Sequence, residues 1–330
     1  MKWLKCLFRK RQESNLPDTH ACVSPDLKIP GAARISSLHT RRRRFSGVSR
    51  PLRRIFSPKR VPAFAVLLLA SYPTLAAGQP LLFVIAGQSN AVGMAPVPSG
   101  LTYANEGRIH LYGNDAQRHT PAREPIDTCA GQVDAVSCDP QAAAGMVLPM
   151  VDAILQARPN DEAILVPCAR SGSSIWEWQR DLRRDTLYGS CVARVREAMQ
   201  GWQDASGVPV ARVTVLWVQG ETDAQAGEVF RTTWGQRFGR LRADFRADLG
   251  GRVSWLLGVL RPDPPAGYPA WLTIRGYQTA ARDNDPQHDT LFFAIGWPGL
   301  TYDASGIHIN LASYQTVGGW AAQKWLLLAP

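Results

Sequence analysis

The sequence predicts an α/β fold, a three-layer α/β/α sandwich around a central, mostly parallel sheet. Short, nearly continuous apolar runs alternate with longer segments of helical period, as in strands buried on both faces. Small and polar residues gather directly after several of those runs, where open parallel sheets place their chemistry.

Taken in order, Leu81–Ala86 is the first strand, ended by Gly87 and followed by Gln88-Ser89-Asn90. A hydroxyl delivered there lies beside the free N–H groups of a following helix, where developing negative charge is stabilised. Read locally, Ser89 and Asn90 also suit plain helix caps. Arg108–Tyr112 is a second strand, and residues 114–141 read as loop. Helices follow over Gly145–Ala157 and Leu187–Trp202, with a strand at Ala163–Pro167 between them. Val213–Val218 is the clearest strand and runs into Gln219-Gly220-Glu221. A long amphipathic helix over Ala224–Asp248, a strand at Val253–Leu260 and a helix at Pro269–Asp283 come next. Thr290–Ile295 is the last strand, and Asn310–Leu327 the closing helix. The polar groups Gln88-Ser89-Asn90, Ser171-Gly172-Ser173 and Gln219-Gly220-Glu221 all fall on one sheet edge, which favours a site over three unrelated turns.

Net charge is +10, but it is unevenly spread. Residues 1–60 hold 16 Lys/Arg and 3 Asp/Glu, whereas the remainder holds 21 and 24. The near-neutral folded part gives no support for a nucleic-acid partner. Residues 1–52 read as a basic, disordered tail; alternatively, translation starts downstream at a non-ATG codon, since Met94 is the next methionine after Met1. Residues 53–77 have a basic start, the apolar run Val61–Leu69 and a small-residue exit near Ala76 or Ala77, the pattern of a secretory signal peptide. An uncleaved membrane anchor is the alternative. Cleavage would leave residues 78–330 as one secreted or periplasmic domain without stable membrane association. Export would favour disulfides; Cys129 with Cys138 is the preferred pair, and Cys168 with Cys191 a second. No clustered Cys/His set suggests a structural zinc site.

A serine nucleophile needs a base, an acid behind it and donors for the oxyanion. Of the histidines after residue 77, His110 lies in a strand and reads as core, while His119 and His288 lie in polar loops and read as solvated. His308 follows the last strand, on the same edge as Ser89. Trp176, Trp178, Trp217 and Trp297 lie near the polar turns; core packing is preferred for them over a sugar-stacking wall.

The ordered blocks Gly87-Gln88-Ser89-Asn90, Pro167 to Ile175, Trp217 to Asp223 and Gly306-Ile307-His308 resemble the sialate O-acetylesterase-like branch of the SGNH hydrolases, which includes the carbohydrate esterase family 6 acetylxylan esterases. The resemblance runs from about residue 80 to 325. It implies a serine esterase that deacetylates a carbohydrate through an acyl-enzyme, without metal or cofactor. Ser89 matches the nucleophile and His308 the general base. The N–H groups of Ser89 and of Gly172 or Ser171, with the Gln219 side chain, match the oxyanion donors, and Gln88 and Asn90 join the oxyanion and substrate-binding set. The family usually carries two glycines in the second block, and here the first is Ser171. Many relatives carry Asp three residues before the histidine, where this chain has Ser305. Glu221, the third-block acid that some relatives use, is the favoured orienter of His308, with Asp303 as runner-up. A lipase or thioesterase on the same fold, and a non-catalytic carbohydrate-binding relative, are the competing readings.

Overall fold

The computed structural model describes residues 78, 80–113, 118–129, 138–210, 212–250, 253–283, 290–295 and 299–328. The expectations for the leader and signal peptide, and for His288 and Trp297, fall outside these residues.

Seven strands form one sheet: β1 (Pro80–Gly87), β2 (Ile109–Gly113), β3 (Arg118–Pro121), β4 (Glu162–Pro167), β5 (Arg212–Val218), β6 (Val253–Val259) and β7 (Thr290–Ala294). Their order is β3-β2-β4-β1-β5-β6-β7. Every pairing is parallel except β2 with β3. The helices are α1 (Ser89–Val92), α2 (Val147–Ala157), α3 (Leu187–Ser206), α4 (Glu221–Gln225), α5 (Glu228–Leu249), α6 (Trp271–Asp283) and α7 (Leu311–Leu328).

The three layers follow from the two-residue period of β1. Leu81, Phe83 and Ile85 enter a core shared with α2 and α7, including Met150, Ile154, Val317 and Trp325. Leu82, Val84 and Ala86 enter the opposite core, with Val195 of α3, Phe238 of α5 and Ile274 of α6. Apart from Ala86, each such β1 side chain, fully buried, contributes about 1.5–3 kcal/mol of transfer free energy, which makes β1 the spine of both cores. Its neighbours are β4 and β5, so the chain ends leaving β4, β1 and β5 emerge side by side.

Three local expectations are corrected. The 114–141 stretch contains the antiparallel edge strand β3, which pairs His119 with Tyr112 and Pro121 with His110. It is four polar-leaning residues long, too short to show a period, and its proline is tolerated at an edge. The helix expected over Ala224–Asp248 begins earlier and is split, because Ala226 and Gly227 are extended between α4 and α5. His110 and His119 exchange character. His110 is partly exposed, with Nε2 2.7 Å from Glu162 Oε2. His119 is half-buried between the rings of Tyr112 and Trp202, and burial lowers its pKa.

Both cysteine pairs are bridged, Cys129–Cys138 and Cys168–Cys191. The second joins the end of β4 to α3. Among the described residues no helix is long and apolar enough to cross a membrane.

Candidate active site

The serine turn is built by pinching β1 against β5. Gly87 sits at φ 119°, and a Cβ there would lie 2.1 Å from the Val218 carbonyl oxygen, so only glycine fits. The Gln88 N–H donates to that same carbonyl over 2.8 Å. Gln88 Oε1 then accepts from the N–H groups of Gly220 (3.4 Å) and Thr222 (3.2 Å), locking the β1 turn to the β5 turn. From the β4 side, Ser173 Oγ donates to the Gly87 carbonyl over 3.0 Å and accepts from Trp178 Nε1. Ser89 is therefore held by three adjacent strand ends.

His308 arrives from the loop before α7. Its Nε2 lies 2.9 Å from Ser89 Oγ, and its Nδ1 lies 3.2 Å from Asp303 Oδ2. The loop is closed on itself, because the Asp303 N–H donates to the His308 carbonyl over 2.8 Å. Burial pushes the Asp303 carboxyl up, but hydrogen bonds from the Ser305 N–H and hydroxyl, with the charge of His308, outweigh it and hold Asp303 below the usual carboxylate range.

Glu221, the acid favoured from sequence, is elsewhere. Its Oε1 accepts from Asn90 Nδ2 at 2.7 Å, and its Oε2 has no hydrogen-bond partner among the described residues. It is buried, and burial raises its pKa. Asn90 also donates to the Ile307 carbonyl (3.2 Å) and accepts from the Tyr314 hydroxyl (2.9 Å). The order of the two acids is thus reversed: Asp303 stands behind His308, and Glu221 stands behind Asn90.

The candidate oxyanion donors also separate. The Ser171 N–H is occupied by Asp139 Oδ2 at 2.9 Å. Gly172 is at φ 73°, a conformation that the preceding serine need not share, and among the described residues no acceptor takes its N–H or that of Ser89. Both residues line a cavity of about 220 Å³ together with His308. The Gln219 side chain does not line it. Its Nε2 donates to the Ser173 carbonyl and to Asp223, and its Oε1 accepts from Trp234 Nε1. Gln219 is a buried brace rather than a donor facing the cavity, a correction to the expected role.

The profile of the family described as carbohydrate esterase, sialic acid-specific acetylesterase matches residues 79–327. The chain belongs to this family. Its members are carbohydrate acetylesterases, a class of carboxylic ester hydrolase. Among solved structures, an Arabidopsis thaliana protein, AT4G34215, aligns with TM-score 0.58 at 21% identity, covering 75% of this chain and 98% of the other. NanS aligns with TM-score 0.53 at 17% identity, covering 76% and 98%. These two share the fold. No curated protein sequence matches the chain.

Core packing, the preferred reading for the tryptophans, holds for two of the three that the structure describes, and none of the three lines the cavity. Trp178 and Trp217 are fully buried and pack edge to face at 5.2 Å. Trp176 is partly exposed, but the Arg237 guanidinium covers its ring at 3.1 Å. Among the described residues, the cavity takes a tyrosine, Tyr268, which sequence reasoning passed over. Asp139 and Tyr314 were also missed. Asp139 follows a bridged cysteine, and Tyr314 sits one turn into the last helix; neither position carries a local signal of its contacts.

Proposed function

We propose that the protein is a serine esterase that removes O-acetyl groups from a carbohydrate through an acyl-enzyme. The observation that carries this reading is the line Ser89 Oγ, His308 Nε2, His308 Nδ1, Asp303 Oδ2, with separations of 2.9 and 3.2 Å at its two hydrogen bonds. His308 takes the Ser89 proton as Oγ attacks the acetyl carbonyl, and Asp303 orients the ring and stabilises its charged form. The N–H groups of Ser89 and Gly172 receive the oxyanion; one such donor is worth about 3 kcal/mol of barrier. The tetrahedral intermediate collapses, the C–O bond to the sugar breaks, and His308 returns the proton to the departing hydroxyl oxygen. Water, deprotonated by His308, then attacks the acetyl carbonyl; the bond to Ser89 Oγ breaks, His308 returns the proton to Oγ, and acetate leaves. Asn90 and Glu221 brace the His308 loop through the Ile307 carbonyl.

The two disulfides support an oxidising compartment, and the reading includes export by a signal peptide over residues 53–77, with residues 78–330 as the working domain. The partner is an acetylated carbohydrate, with no role for nucleic acid or a membrane.

Hydrolysis of p-nitrophenyl acetate by wild type and Ser89→Ala tests the reading. Wild-type turnover that disappears in the variant, with acetylated Ser89 trapped on acid quench, is expected. A variant as active as wild type would remove Ser89 from the mechanism. Absent wild-type turnover with retained glycan binding would make the protein a binder, and faster turnover of long acyl esters than of acetate would make it a lipase or thioesterase.

A further inference from the structure

We infer that the substrate is an uncharged oligosaccharide, with the acetylated unit over Ser89 and the adjoining sugar ring on Tyr268, in a hollow formed by the 264–272 segment. The inference rests on the deacetylation reading above.

Tyr268 lines two hollows. One is the cavity of about 220 Å³ that contains Ser89 and His308. The other, of about 350 Å³, is formed by Pro264, Pro265, Gly267, Tyr268, Pro269 and Leu272. Together they reach the volume of ordinary small-ligand sites. The Tyr268 ring is propped by Trp271, edge to face at 5.5 Å, and Trp271 is itself pinned by donating Nε1 to the Arg261 carbonyl at 2.8 Å. Beside it, Leu272 is 57% exposed. A braced aromatic face flanked by prolines and an exposed leucine suits the C–H face of a pyranose, whose weakly positive hydrogens meet the negative π face.

Charge narrows the class of sugar. Among the described residues, Glu221 and His308 are the ionisable groups of the acid and imidazole types on the catalytic cavity, and no Lys or Arg lines either hollow. After residue 78, the segments outside the described residues hold one Lys or Arg in sequence, Arg252, which directly precedes β6. A sugar carboxylate enclosed here would lack a cation and would face Glu221, and burial of an uncompensated charge is strongly unfavourable. Even a protonated Glu221 supplies no positive charge. Arg261 is the cation to examine: its guanidinium lies over the Tyr302 ring at 4.3 Å and lines neither hollow.

The experiment compares kcat/KM for acetate release from an acetylated neutral oligosaccharide, the matching acetylated monosaccharide and an O-acetylated sialic acid, with p-nitrophenyl acetate as reference. The oligosaccharide should exceed both the monosaccharide and the sialate by about tenfold. Tyr268→Ala should collapse the oligosaccharide-to-monosaccharide ratio, Tyr268→Phe should restore it, and Leu272→Glu, a change at an exposed position, should lower it while the protein stays folded. Sialate turnover equal to the neutral substrate and lost in Arg261→Ala would overturn the inference. So would a ratio unmoved in Tyr268→Ala and Leu272→Glu, particularly if long acyl esters are the substrates that slow. Ser89-dependent p-nitrophenyl acetate hydrolysis with no glycan turnover would overturn the inference and leave the serine esterase standing. Absence of all hydrolysis would remove both.

Discussion

The side-chain amide of Asn90 donates to Oε1 of Glu221 over 2.7 Å, across 131 residues of sequence. The same amide reaches the Ile307 carbonyl. One side chain next to Ser89 thus ties the exit of β5 to the loop that carries His308. Glu221 faces Asn90 through Oε1, and the acid at His308 Nδ1 is Asp303.

Asp303→Ala should therefore lower kcat on p-nitrophenyl acetate by about 10²-fold or more, because His308 loses its orienting acid. Glu221→Gln should cost less than about tenfold. Glu221→Ala should appear chiefly as lost stability, about 1–3 kcal/mol in a urea melt, because it strands a buried Asn90 donor. If Glu221→Gln proved as damaging as Asp303→Ala, the roles assigned to the two acids would have to be exchanged.

The strand ends that form this site were legible because each announces itself locally: an apolar run, a break, then Ser89, Ser171–Ser174 or Gln219–Glu221. Parallel pairing then brings them together, since β1 lies between β4 and β5. His308 was legible by elimination among few histidines and by its motif. The choice between Asp303 and Glu221 was not, because it turns on where Asn90 points, a tertiary fact. Gln219 misled for a related reason. Its position after β5 is as expected, but Trp234 and Asp223 claim its amide from behind. The division of labour between Ser171 and Gly172 depends on the Asp139 carboxylate, 32 residues before Ser171.

Asp139 is accordingly predicted to matter for rate. Its carboxylate accepts from the Ser171 N–H and the Gln141 N–H, both at 2.9 Å. Asp139→Ala leaves both donors unpaired and frees the turn that aims the Gly172 N–H. An oxyanion donor acts in the transition state, so kcat should fall about 10- to 10²-fold with KM little changed. A rise in KM at constant kcat would instead place this turn in ground-state binding.

Stability should carry a pH signature from Glu124. Burial raises its carboxyl from the ordinary 4.5 to about 7, although the Gly145 N–H donates to it at 3.2 Å and pulls the other way. The folded state holds this proton more tightly than the unfolded state, so the contribution is complete below pH 4.5 and is lost as pH rises towards 7. Across that window, unfolding free energy should drop by about 3 kcal/mol from this group. Asp223, raised by burial to about 6, acts in the same sense. Urea melts of wild type and Glu124→Gln between pH 4 and 8 check the sign: the wild-type advantage at low pH should shrink steadily. Parallel curves would show that Glu124 does not titrate in this range.

The two disulfides should report on different properties. Cys168–Cys191 spans 23 residues and ties β4 to α3 within a buried core. Loop-closure entropy gives it about 3 kcal/mol, so the Cys168→Ala/Cys191→Ala double variant should melt about 10 °C lower. Its kcat should change little, because Ser173 and Asp139 still hold the second-block turn. Cys129–Cys138 sits one residue from Asp139, and the Cys138 carbonyl accepts from Arg170 Nη1 at 2.8 Å. Removing that bridge loosens the support of Asp139 and of the turn beside Gly172, so its effect should appear in kcat. Measuring Tm and kcat on both double variants tests the split: a 168–191 variant that loses rate but not stability would contradict it.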